Sequence, residues 1–499
     1  LSKKESLYKS KGYNIQLGNF DNEKFLVDYN TQYLKWIADE IARYDTKSHI
    51  HVNNHQIFDN AAEYDFPAWR KFISSLGASA HASWHFKYFK REQYPVAMLA
   101  NCSMIRSGAG HLPFLVTELQ GGNNTYSGGQ AICPTKEDIT QWLWSSICSG
   151  AQGIIFWSLN PRSIGEEAGE WALIDFQNNS TDRLESATNV IKCLNENQSL
   201  FESIKPFQAN VNLIYTRESL WTERRIQYGD KLNTDYEGRQ KGGVIKSTLA
   251  YYEMLLENGI NTSLSEINEF DWNKKSYKGQ VIILANQIAI SSCHWKNIRN
   301  FVEKGGKLIV EGLTAFYDEN MLCLYNTGFP FETIFGGNMK ETKCSPGDFS
   351  MNFKNKDVPV HLWKGYISNR TGKIISQETD FITGISNEFG KGEVIWLPSL
   401  LGLGSRRTGD YSSLSDLLLS EITQFSSFRL KKYEKGIIMQ TFTSNVLSFS
   451  LVINKNSTAK TVSIEGIGQS TLLFADKGGK LRKNTLRIMP NETIVIKWE

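Results

Sequence analysis

The chain has 499 residues, of which 40% are hydrophobic, 12% aromatic and 21% charged. At about 150 residues per domain, this length predicts roughly three domains. The 55 basic and 52 acidic residues give a net charge of +3 without long runs of either sign, so the composition does not support nucleic-acid binding. No uninterrupted apolar stretch reaches the ~18 residues of a membrane span, and we expect a soluble protein without membrane contact.

Short apolar runs alternate with amphipathic stretches from Tyr13 to about Lys205. This alternation predicts βα units. The predicted strands are 48–54, 77–83, 113–118 and 153–157. The predicted helices are 28–44, with Tyr33, Trp36, Ile37 and Ile41 on one face, and 138–149, which begins at a capping box from Thr135.

The remainder of the chain divides into two further regions. The second repeats the strand–helix pattern, with predicted strands at 211–215, 281–285, 307–311 and 393–398, and this pattern indicates a doubly wound α/β domain. The third loses helical periodicity, and its runs at 446–452, 460–464 and 493–497 indicate a small antiparallel β domain. We therefore predict domains at residues 1–205, 206–429 and 430–499.

Polar and aromatic side chains follow the predicted strands of the first region. In a (β/α) barrel the carboxyl ends of the strands form the active site. Hydrogen-bonding groups beside large flat rings are typical of a sugar site, because pyranoses present hydroxyls at the rim and C–H groups on the faces. The residues concerned are Asn53, Asn54, His55, His81, Trp84, His85, Glu118, Phe156 and Trp157.

Glu118 ends the apolar run that begins at Pro113. A carboxylate there would be costly unless it faced the mouth of a barrel. The following residues, 119–122, are predicted to form a flexible turn over the site. The alternative is a buried glutamate that pairs with an arginine such as Arg162, and the residues alone leave both interpretations open.

Several motifs resemble glycoside hydrolase family 42 β-galactosidases, and they occur in the order of that family. The stretch PFLVTELQGG at 113–122 resembles the nucleophile strand, 149–157 the entry into the last barrel strand, and 162–166 the loop after it. The strand at 48–54 resembles a family strand that ends in Thr-Thr-Asn. The second region is similar to the family's trimerisation domain, and the third to its C-terminal sandwich.

The resemblance implies a fold, an activity and an assembly. The fold is the C-terminal half of a (β/α)8 TIM barrel, then a doubly wound flavodoxin- or amidotransferase-like domain, then a small antiparallel β-sandwich. The activity is that of a retaining exo-β-glycosidase, which hydrolyses terminal β-galactosides by double displacement without a metal or an organic cofactor. The implied partners are a carbohydrate substrate and two further copies in a homotrimer, in the bacterial cytoplasm or periplasm.

Residue roles also follow from the resemblance. Glu118 would be the nucleophile, Tyr126 would replace a family tryptophan, and Glu166 would bind sugar hydroxyls. Phe156 and Trp157 would form the wall of the sugar subsite. Asn53, Asn54, Trp84 and His85 complete the predicted substrate contacts, and Trp84, His85 and Glu166 are expected to select the sugar.

The chain departs from the family pattern at substrate-contacting positions. Residues 80–86 read AHASWHF where the family has Ser-Trp-Asp-Ser-Tyr-Pro, and 166–171 lack its Glu-x-x-His. A β-mannosidase of similar build therefore stays open. A non-catalytic carbohydrate-binding or scaffold protein also stays open. The family takes its acid/base from an Asn-Glu pair, and before Glu118 such a pair occurs here only at Asn22-Glu23, which looks like a helix entrance.

We expect the first four βα units, with the acid/base, to precede Leu1, since a complete barrel takes about 250 residues. The second region contains no GxGxxG after 211–215 and no cysteine nucleophile after 307–311, so it is interpreted as an assembly module. An aromatic loop at 221–236 is expected at the trimer interface or over the barrel mouth. A solvated loop is the alternative.

Overall fold

The computed structural model describes residues 20–202, 204–226, 234–353 and 355–499. In the first region, four parallel strands of the described chain lie side by side in chain order and form a curved half-barrel sheet. The elements are α1 (Asp21–Tyr44), β1 (His51–Asn54), α2 (Ile57–Asn60), α3 (Phe66–Trp69), β2 (Ser75–Ala80), α4 (Ala82–His85), α5 (Tyr94–Ala109), β3 (Phe114–Gln120), α6 (Lys136–Cys148), β4 (Ile154–Trp157) and α7 (Asp182–Glu196).

The predicted strands and helices of this region are confirmed, with ends shifted by a few residues. Thr135 caps α6 as predicted, because its hydroxyl accepts from the backbone N–H of Asp138 while the Asp138 carboxylate accepts from the backbone N–H of Thr135. Helix α1 is longer than predicted. Its apolar face is exposed, with Tyr33 at 50% and Trp36 at 56%, and only Val27 and Ala38 of the helix are buried.

The half-barrel sheet is covered on one side. Leu76, Ala78, Phe114 and Val116 are fully buried beneath the helices. On the opposite side, called the open face here, His51, Asn53, Ile155 and Trp157 are exposed, with Ile155 at 53%. The open face comprises His51, Asn53, Gly77, Ser79, Thr117, Glu118, Ile155 and Trp157.

The second region folds around a mixed sheet. Its parallel strands lie in the order β7-β6-β8-β9-β14, the doubly wound order 2-1-3-4-5, and an antiparallel extension adds β10 to β13. The elements are β6 (Val211–Tyr215), α8 (Arg217–Ile226), α9 (Gly243–Leu256), β7 (Thr262–Glu266), β8 (Val281–Ala285), α10 (Ser292–Glu303), β9 (Lys307–Glu311), α11 (Leu324–Thr327), α12 (Glu332–Phe335), β10 (Gly337–Phe353), β11 (Lys356–Asn369), β12 (Lys373–Glu378), β13 (Phe381–Phe389), β14 (Gly392–Leu397), α13 (Leu401–Thr408) and α14 (Ser412–Ile422). The four predicted strands are confirmed, whereas β7 and the antiparallel extension were not predicted.

The third region is a β-sandwich. One sheet has the order β15-β18-β21-β20 and the other β19-β22-β17-β16-β5, with a shared apolar core between them. Strand β5 (Lys205–Pro206) comes from the segment that follows the half-barrel, so it ties the first region to the third. The other strands are β15 (Arg429–Leu430), β16 (Ile437–Thr443), β17 (Ser448–Asn454), β18 (Lys460–Glu465), β19 (Ser470–Ala475), β20 (Lys480–Arg482), β21 (Thr485–Ile488) and β22 (Thr493–Trp498).

A buried ionic network joins the second and third regions. Lys455 lies between Glu253 at 2.6 Å and Glu257 at 3.2 Å, and Arg406 lies 3.3 Å from Glu253. The two carboxylates raise the pKa of Lys455 against the opposing effect of its burial. We keep 1–205, 206–429 and 430–499 as the proposed domain boundaries.

Candidate active site

Glu118 reaches the open face through a β-bulge. The register between β2 and β3 shifts by one residue, so that Ala78 pairs with Val116 and Ser79 pairs with Glu118. Thr117 and Glu118 are consequently two consecutive half-buried residues between the buried Val116 and Leu119. Bulges re-aim side chains in this way, and here the bulge gives the carboxylate access to the open face at the carboxyl end of β3.

A chain of hydrogen bonds supports the Glu118 carboxylate. The Ser79 hydroxyl donates to Oε2 of Glu118 at 2.9 Å, and Nε2 of His85 lies 2.8 Å from the same hydroxyl. The backbone N–H of Gln56 donates to Nδ1 of His85 at 3.0 Å. Both ring nitrogens of His85 are therefore occupied and the residue is 2% exposed, which argues against its predicted contact with a sugar.

The Arg162 alternative for Glu118 is wrong. Arg162 pairs with Glu167 at 3.0 Å, and among the described residues Glu118 forms no ion pair. The Glu118 carboxylate instead accepts a hydrogen bond from the uncharged Ser79 hydroxyl and stays in contact with solvent, because the residue is only half-buried.

Gly77 lets three polar side chains converge beside Glu118. A Cβ atom at Gly77 would lie 2.6 Å from Nε2 of His51, 2.8 Å from Oγ1 of Thr117 and 2.9 Å from Oδ1 of Asn53. The Thr117 hydroxyl donates to Oδ1 of Asn53 at 2.7 Å, which fixes Asn53 on the open face. Asn54 is only 2% exposed and its amide donates to the Gly77 carbonyl, so its predicted sugar contact is not supported.

Trp157 forms an aromatic wall at the end of the neighbouring strand. Its ring is 38% exposed, its Nε1 donates to Oε2 of Glu167 at 3.1 Å, and the Arg162 guanidinium lies 5.6 Å from the ring centre. Phe156 is half-buried and packs against the core. Glu166 is exposed and forms no hydrogen bond or ion pair within the described chain, so Glu167 is the carboxylate that the structure brings to Trp157.

The loop after β3 is tightly packed, which corrects the prediction of a flexible turn. Gly121 and Gly122 are buried, and a Cβ atom at Gly122 would lie 2.0 Å from the carbonyl oxygen of Ala172. Gln120 is fully buried and donates to the carbonyls of Gly122 and Ile132, each at 3.1 Å. The turn is therefore a rigid rim of the site.

Further along this rim, the carboxylate of Glu170 accepts from the backbone N–H of Thr125 at 2.9 Å and of Tyr126 at 2.7 Å. This anchor leaves the Tyr126 ring 93% exposed.

The aromatic cluster after β2 lies at the mouth of the sheet. The rings of His55 and Trp84 are 6.2 Å apart, and His55 meets His85 edge-on at 4.9 Å. His81 is buried against Trp171 at 4.8 Å, and burial together with the nearby His55 lowers the pKa of His81 to about 4. Trp84 and His55 are thus the accessible members of this cluster, since both His81 and His85 are buried.

The chain was compared with protein-family models and solved structures. The model for the β-galactosidases of glycoside hydrolase family 42 matches residues 12–197, and the model for the β-galactosidase trimerisation domain matches residues 209–418. The chain belongs to glycoside hydrolase family 42. A search of curated protein sequences found no match.

Solved structures of similar fold include three enzymes. The family 42 β-galactosidase Gan42B of G. stearothermophilus superposes with a TM-score of 0.76 at 16% identity over 96% of this chain and 68% of its own. The β-galactosidase of Bacillus circulans sp. alkalophilus superposes with a TM-score of 0.72 at 16% identity, over 96% of this chain and 67% of its own. The exo-β-1,4-mannosidase Op5Man5 of Opitutaceae bacterium strain TAV5 superposes with a TM-score of 0.56 at 13% identity, over 79% of this chain and 70% of its own. The chain spans about two thirds of the length of the two β-galactosidases.

Glu23 of this family 42 chain does not end a barrel strand. It lies in the first turn of α1, as a helix entrance, and its carboxylate accepts from Nε of Arg225 at 2.8 Å. Within the described residues no cluster of histidine, cysteine and carboxylate groups could hold a metal ion, and none of the described helices has the length and hydropathy of a membrane span.

The predicted aromatic loop at 221–236 is partly a helix. Trp221 lies in α8, is 3% exposed and contacts the ring of Phe20 at 5.5 Å. Arg224 binds Glu63 and the Asp59 carbonyl, so this helix packs on the half-barrel and is not a solvated loop. Residues 227–233, including Lys231, lie outside the described residues.

Sequence reasoning missed three features of the candidate site: the bulge at Thr117, the contact of Ser79 with Glu118, and Glu167. The adjacent pair Glu166-Glu167 was a visible signal, since either residue could have been the ligand. Ser79 carried no signal, because its contact with Glu118 depends on the register between two strands that are 39 residues apart.

Proposed function

We propose that the chain carries the nucleophile of a retaining exo-β-glycosidase that releases terminal β-galactosyl units from oligo- or polysaccharides. The observation that supports this proposal is the position of Glu118. The bulge presents its carboxylate on the open face at the carboxyl end of β3, one strand away from the exposed ring of Trp157. A barrel glycosidase needs its nucleophile at that end of the strands.

The proposed reaction has two displacements. Glu118 attacks the anomeric carbon and forms a glycosyl ester while the glycosidic C–O bond breaks, and a second carboxyl group protonates the departing oxygen. That same group then takes a proton from water, which attacks the anomeric carbon and releases the Glu118 carboxylate. The second carboxyl group must lie about 5 to 5.5 Å from the first.

Two of the three described carboxylates on the rim have other partners, and the third, Glu166, is exposed and is the proposed ligand of sugar hydroxyls. Glu167 binds Trp157 and Arg162, and Glu170 holds the loop at 125–127. We therefore propose that the acid/base of the full-length protein is a further residue, one that the described part of this chain does not bring to the open face.

The proposed sugar contacts follow the open face and its rim. Trp157 would stack on the C–H face of the sugar, and Asn53 would bind hydroxyls beside Glu118. Trp84, Tyr126 and Glu166 keep their proposed roles around this centre, whereas Phe156 packs against the core and is left out of the proposed subsite. Glu167 joins them, because it fixes the ring of Trp157.

The test is a panel of nitrophenyl glycosides with the full-length gene product. We expect turnover of the β-galactoside, with loss of turnover in Glu118→Gln. Turnover of the β-mannoside alone would support the mannosidase alternative, for which the departures from the family pattern at residues 80–86 are the reason. Failure to hydrolyse either glycoside would contradict the proposal.

A non-catalytic carbohydrate-binding or scaffold protein is the alternative from another class, because Glu118 is the only carboxylate among the described strand residues of the open face. Calorimetry with galactose and lactose distinguishes it from the enzyme. Sugar binding by a full-length protein that hydrolyses none of the glycosides would favour the binding protein.

We also propose a homotrimer, in which residues 206–429 supply the contact. The match of residues 209–418 to the β-galactosidase trimerisation domain supports this assembly. Light scattering on the full-length protein should give three times the monomer mass, and a monomer at micromolar concentration would contradict it.

A further inference from the structure

A retaining nucleophile has to be ionised, held in one orientation and left with one free oxygen. Ser79 and His85 are placed to do this for Glu118. We propose that the backbone N–H of Gln56, the His85 ring and the Ser79 hydroxyl form a directional relay that positions the Glu118 carboxylate. This proposal rests on the proposed function for its catalytic consequence, but the relay itself is a property of the unliganded protein.

The direction of the relay follows from its first member. A backbone N–H can only donate, so Nδ1 of His85, 3.0 Å from the Gln56 nitrogen, must present a lone pair. A neutral imidazole then carries its proton on Nε2, which donates to the Ser79 oxygen at 2.8 Å. The Ser79 hydroxyl proton is thereby directed to Oε2 of Glu118 at 2.9 Å.

The surroundings of His85 keep its ring neutral. Burial lowers the pKa of His85 well below its usual value, and the nearby His55, His81 and Lys87 lower it further. A protonated ring would also direct an N–H group at the N–H of Gln56. His85 therefore has a single useful tautomer across the physiological pH range.

The backbone at Gln56 is specialised for its part in the relay. Gln56 has φ 52° and ψ 59°, the left-handed region that non-glycine residues rarely occupy. Strained backbone of this kind persists where the surrounding structure fixes it, and here it directs the N–H at a buried ring nitrogen. Because the donor is backbone, the relay does not depend on the Gln56 side chain.

The relay has a specific kinetic consequence. It holds Oε2 and leaves Oε1 of Glu118 to attack the anomeric carbon. When water cleaves the glycosyl ester, negative charge returns to the carboxylate, and the Ser79 hydroxyl stabilises that charge as it forms. Loss of the hydroxyl should therefore slow the second displacement and let the glycosyl-enzyme accumulate.

The first experiment needs no activity. Nitrogen-15 NMR of histidine side chains in the unliganded protein reports the tautomer and protonation of each ring, and His85→Phe identifies the signal of His85 by its disappearance. We expect a neutral ring with its proton on Nε2 throughout about pH 5 to 8. A ring that is protonated on Nδ1, or that titrates near pH 6.5, would overturn the relay whether or not the protein is a glycosidase.

The second experiment measures catalysis by the full-length protein with an activated dinitrophenyl galactoside. We expect Ser79→Ala to lower kcat by about tenfold and to give a burst of dinitrophenol. Ser79→Thr keeps the hydroxyl and should restore most of kcat.

The control for burial is Ser145→Ala. Ser145 is fully buried in α6 and its hydroxyl has no partner among the described residues, so the same substitution is made without touching the relay. A wild-type kcat without a burst of dinitrophenol in Ser79→Ala would overturn the catalytic part of the proposal. If Ser79→Ala does not fold, the same result in His85→Phe, with no change in the rate of the second displacement, overturns it.

Discussion

Two glutamates end apolar parallel strands in this molecule, and they differ in almost every other respect. Glu118 ends the apolar run of β3, is half-buried and accepts a hydrogen bond from Ser79. Glu311 ends β9, is 0% exposed and accepts from the backbone N–H of Gly402 at 2.9 Å, while its second oxygen has no partner in the described chain. Burial raises the pKa of Glu311 to about 8. A carboxylate at the end of a strand therefore does not by itself indicate a catalytic site.

The layers around each sheet account for the difference. Strands β6 and β8 are buried at every position, because the second sheet has elements on both faces, and the start of α13 lies directly over Glu311. The half-barrel sheet has helices on one face only, so Glu118 keeps access to the open face. Glu311 thus supports a helix start, whereas Glu118 is available to a ligand.

The largest expected effect is obtained by exchanging the same two groups for amides. Glu118→Gln should lower kcat/KM of the full-length protein by at least ~10³-fold, since the amide cannot form the glycosyl ester. Its free energy of unfolding should change by less than about 0.5 kcal/mol, as for a partly exposed site. Glu311→Gln should leave kcat/KM within about twofold, because Glu311 does not face the open face.

Nitrophenyl glycoside kinetics and urea unfolding of both variants check this contrast. Loss of turnover in Glu311→Gln at a pH where the variant is fully folded would contradict the assignment of the two roles.

The second prediction concerns pH. The folded-state pKa of Glu311 is raised from 4.5 to about 8, so the folded protein holds this proton more tightly than the unfolded chain. The stability that the protonated group contributes is fully present below about pH 4.5 and is lost as the pH rises to about 8. Glu311→Gln cannot ionise, so its stability relative to the wild type should increase over that window by a few kcal/mol.

Urea unfolding at about pH 5 and pH 8 measures the difference between the two proteins, which removes the contribution of other buried glutamates. Glu341→Gln is the matched control for the substitution itself, because Glu341 is exposed on β10. Parallel curves for Glu311→Gln and the wild type would mean that Glu311 is not protonated in the folded state.

Much of the fold could be predicted from the sequence, because buried parallel strands are short apolar runs. The runs at 211–215, 281–285 and 307–311 coincide with β6, β8 and β9. Strand β7, with the sequence TSLSE, was missed because it is largely polar. Its polar side chains are accommodated in the sheet through hydrogen bonds such as that from Ser263 to Asn212. The hairpin of β10 and β11 was missed because much of β10 is polar and exposed.

The candidate site could be predicted only at the level of strand ends. The positions of Glu118, Trp157 and Asn53 at the ends of predicted strands were enough to predict that they lie at the same edge of a sheet. The bulge at Thr117 and the bond from Ser79 depend on the register between strands, which periodicity does not encode. The roles of His85 and Asn54 differ from the prediction because burial, which the sequence does not give residue by residue, removes them from the open face.

The third prediction tests whether the rim of the open face is rigid. Gly122→Ala should lower the free energy of unfolding by about 2 to 4 kcal/mol, because its Cβ would meet backbone atoms of Ala172 that cannot rotate away. The control is Gly478→Ala, where φ is +80° and no atom lies within 4 Å of the new Cβ, so only about 1 kcal/mol of backbone strain is expected. Urea unfolding of both variants gives the comparison, and equal effects would mean that the rim yields.

The smallest expected effect on activity comes from a comparison of two tryptophans. Trp157 lies on the half-barrel sheet, and Trp396 lies on the sheet of the second region. Trp157→Phe on β4 keeps a ring but loses the bond to Glu167, so kcat/KM should fall by about threefold to tenfold while stability changes by less than about 0.5 kcal/mol. Trp396→Phe on β14 removes part of a fully buried ring whose Nε1 has no partner in the described chain, so it should cost about 1 to 3 kcal/mol of stability and leave kcat/KM unchanged. Glycoside kinetics and urea unfolding measure both quantities in both variants. If Trp157→Phe instead lost stability and kept its kcat/KM, the ring would belong to the core of the half-barrel, and the contrast between a covered and an open sheet would fail at this position.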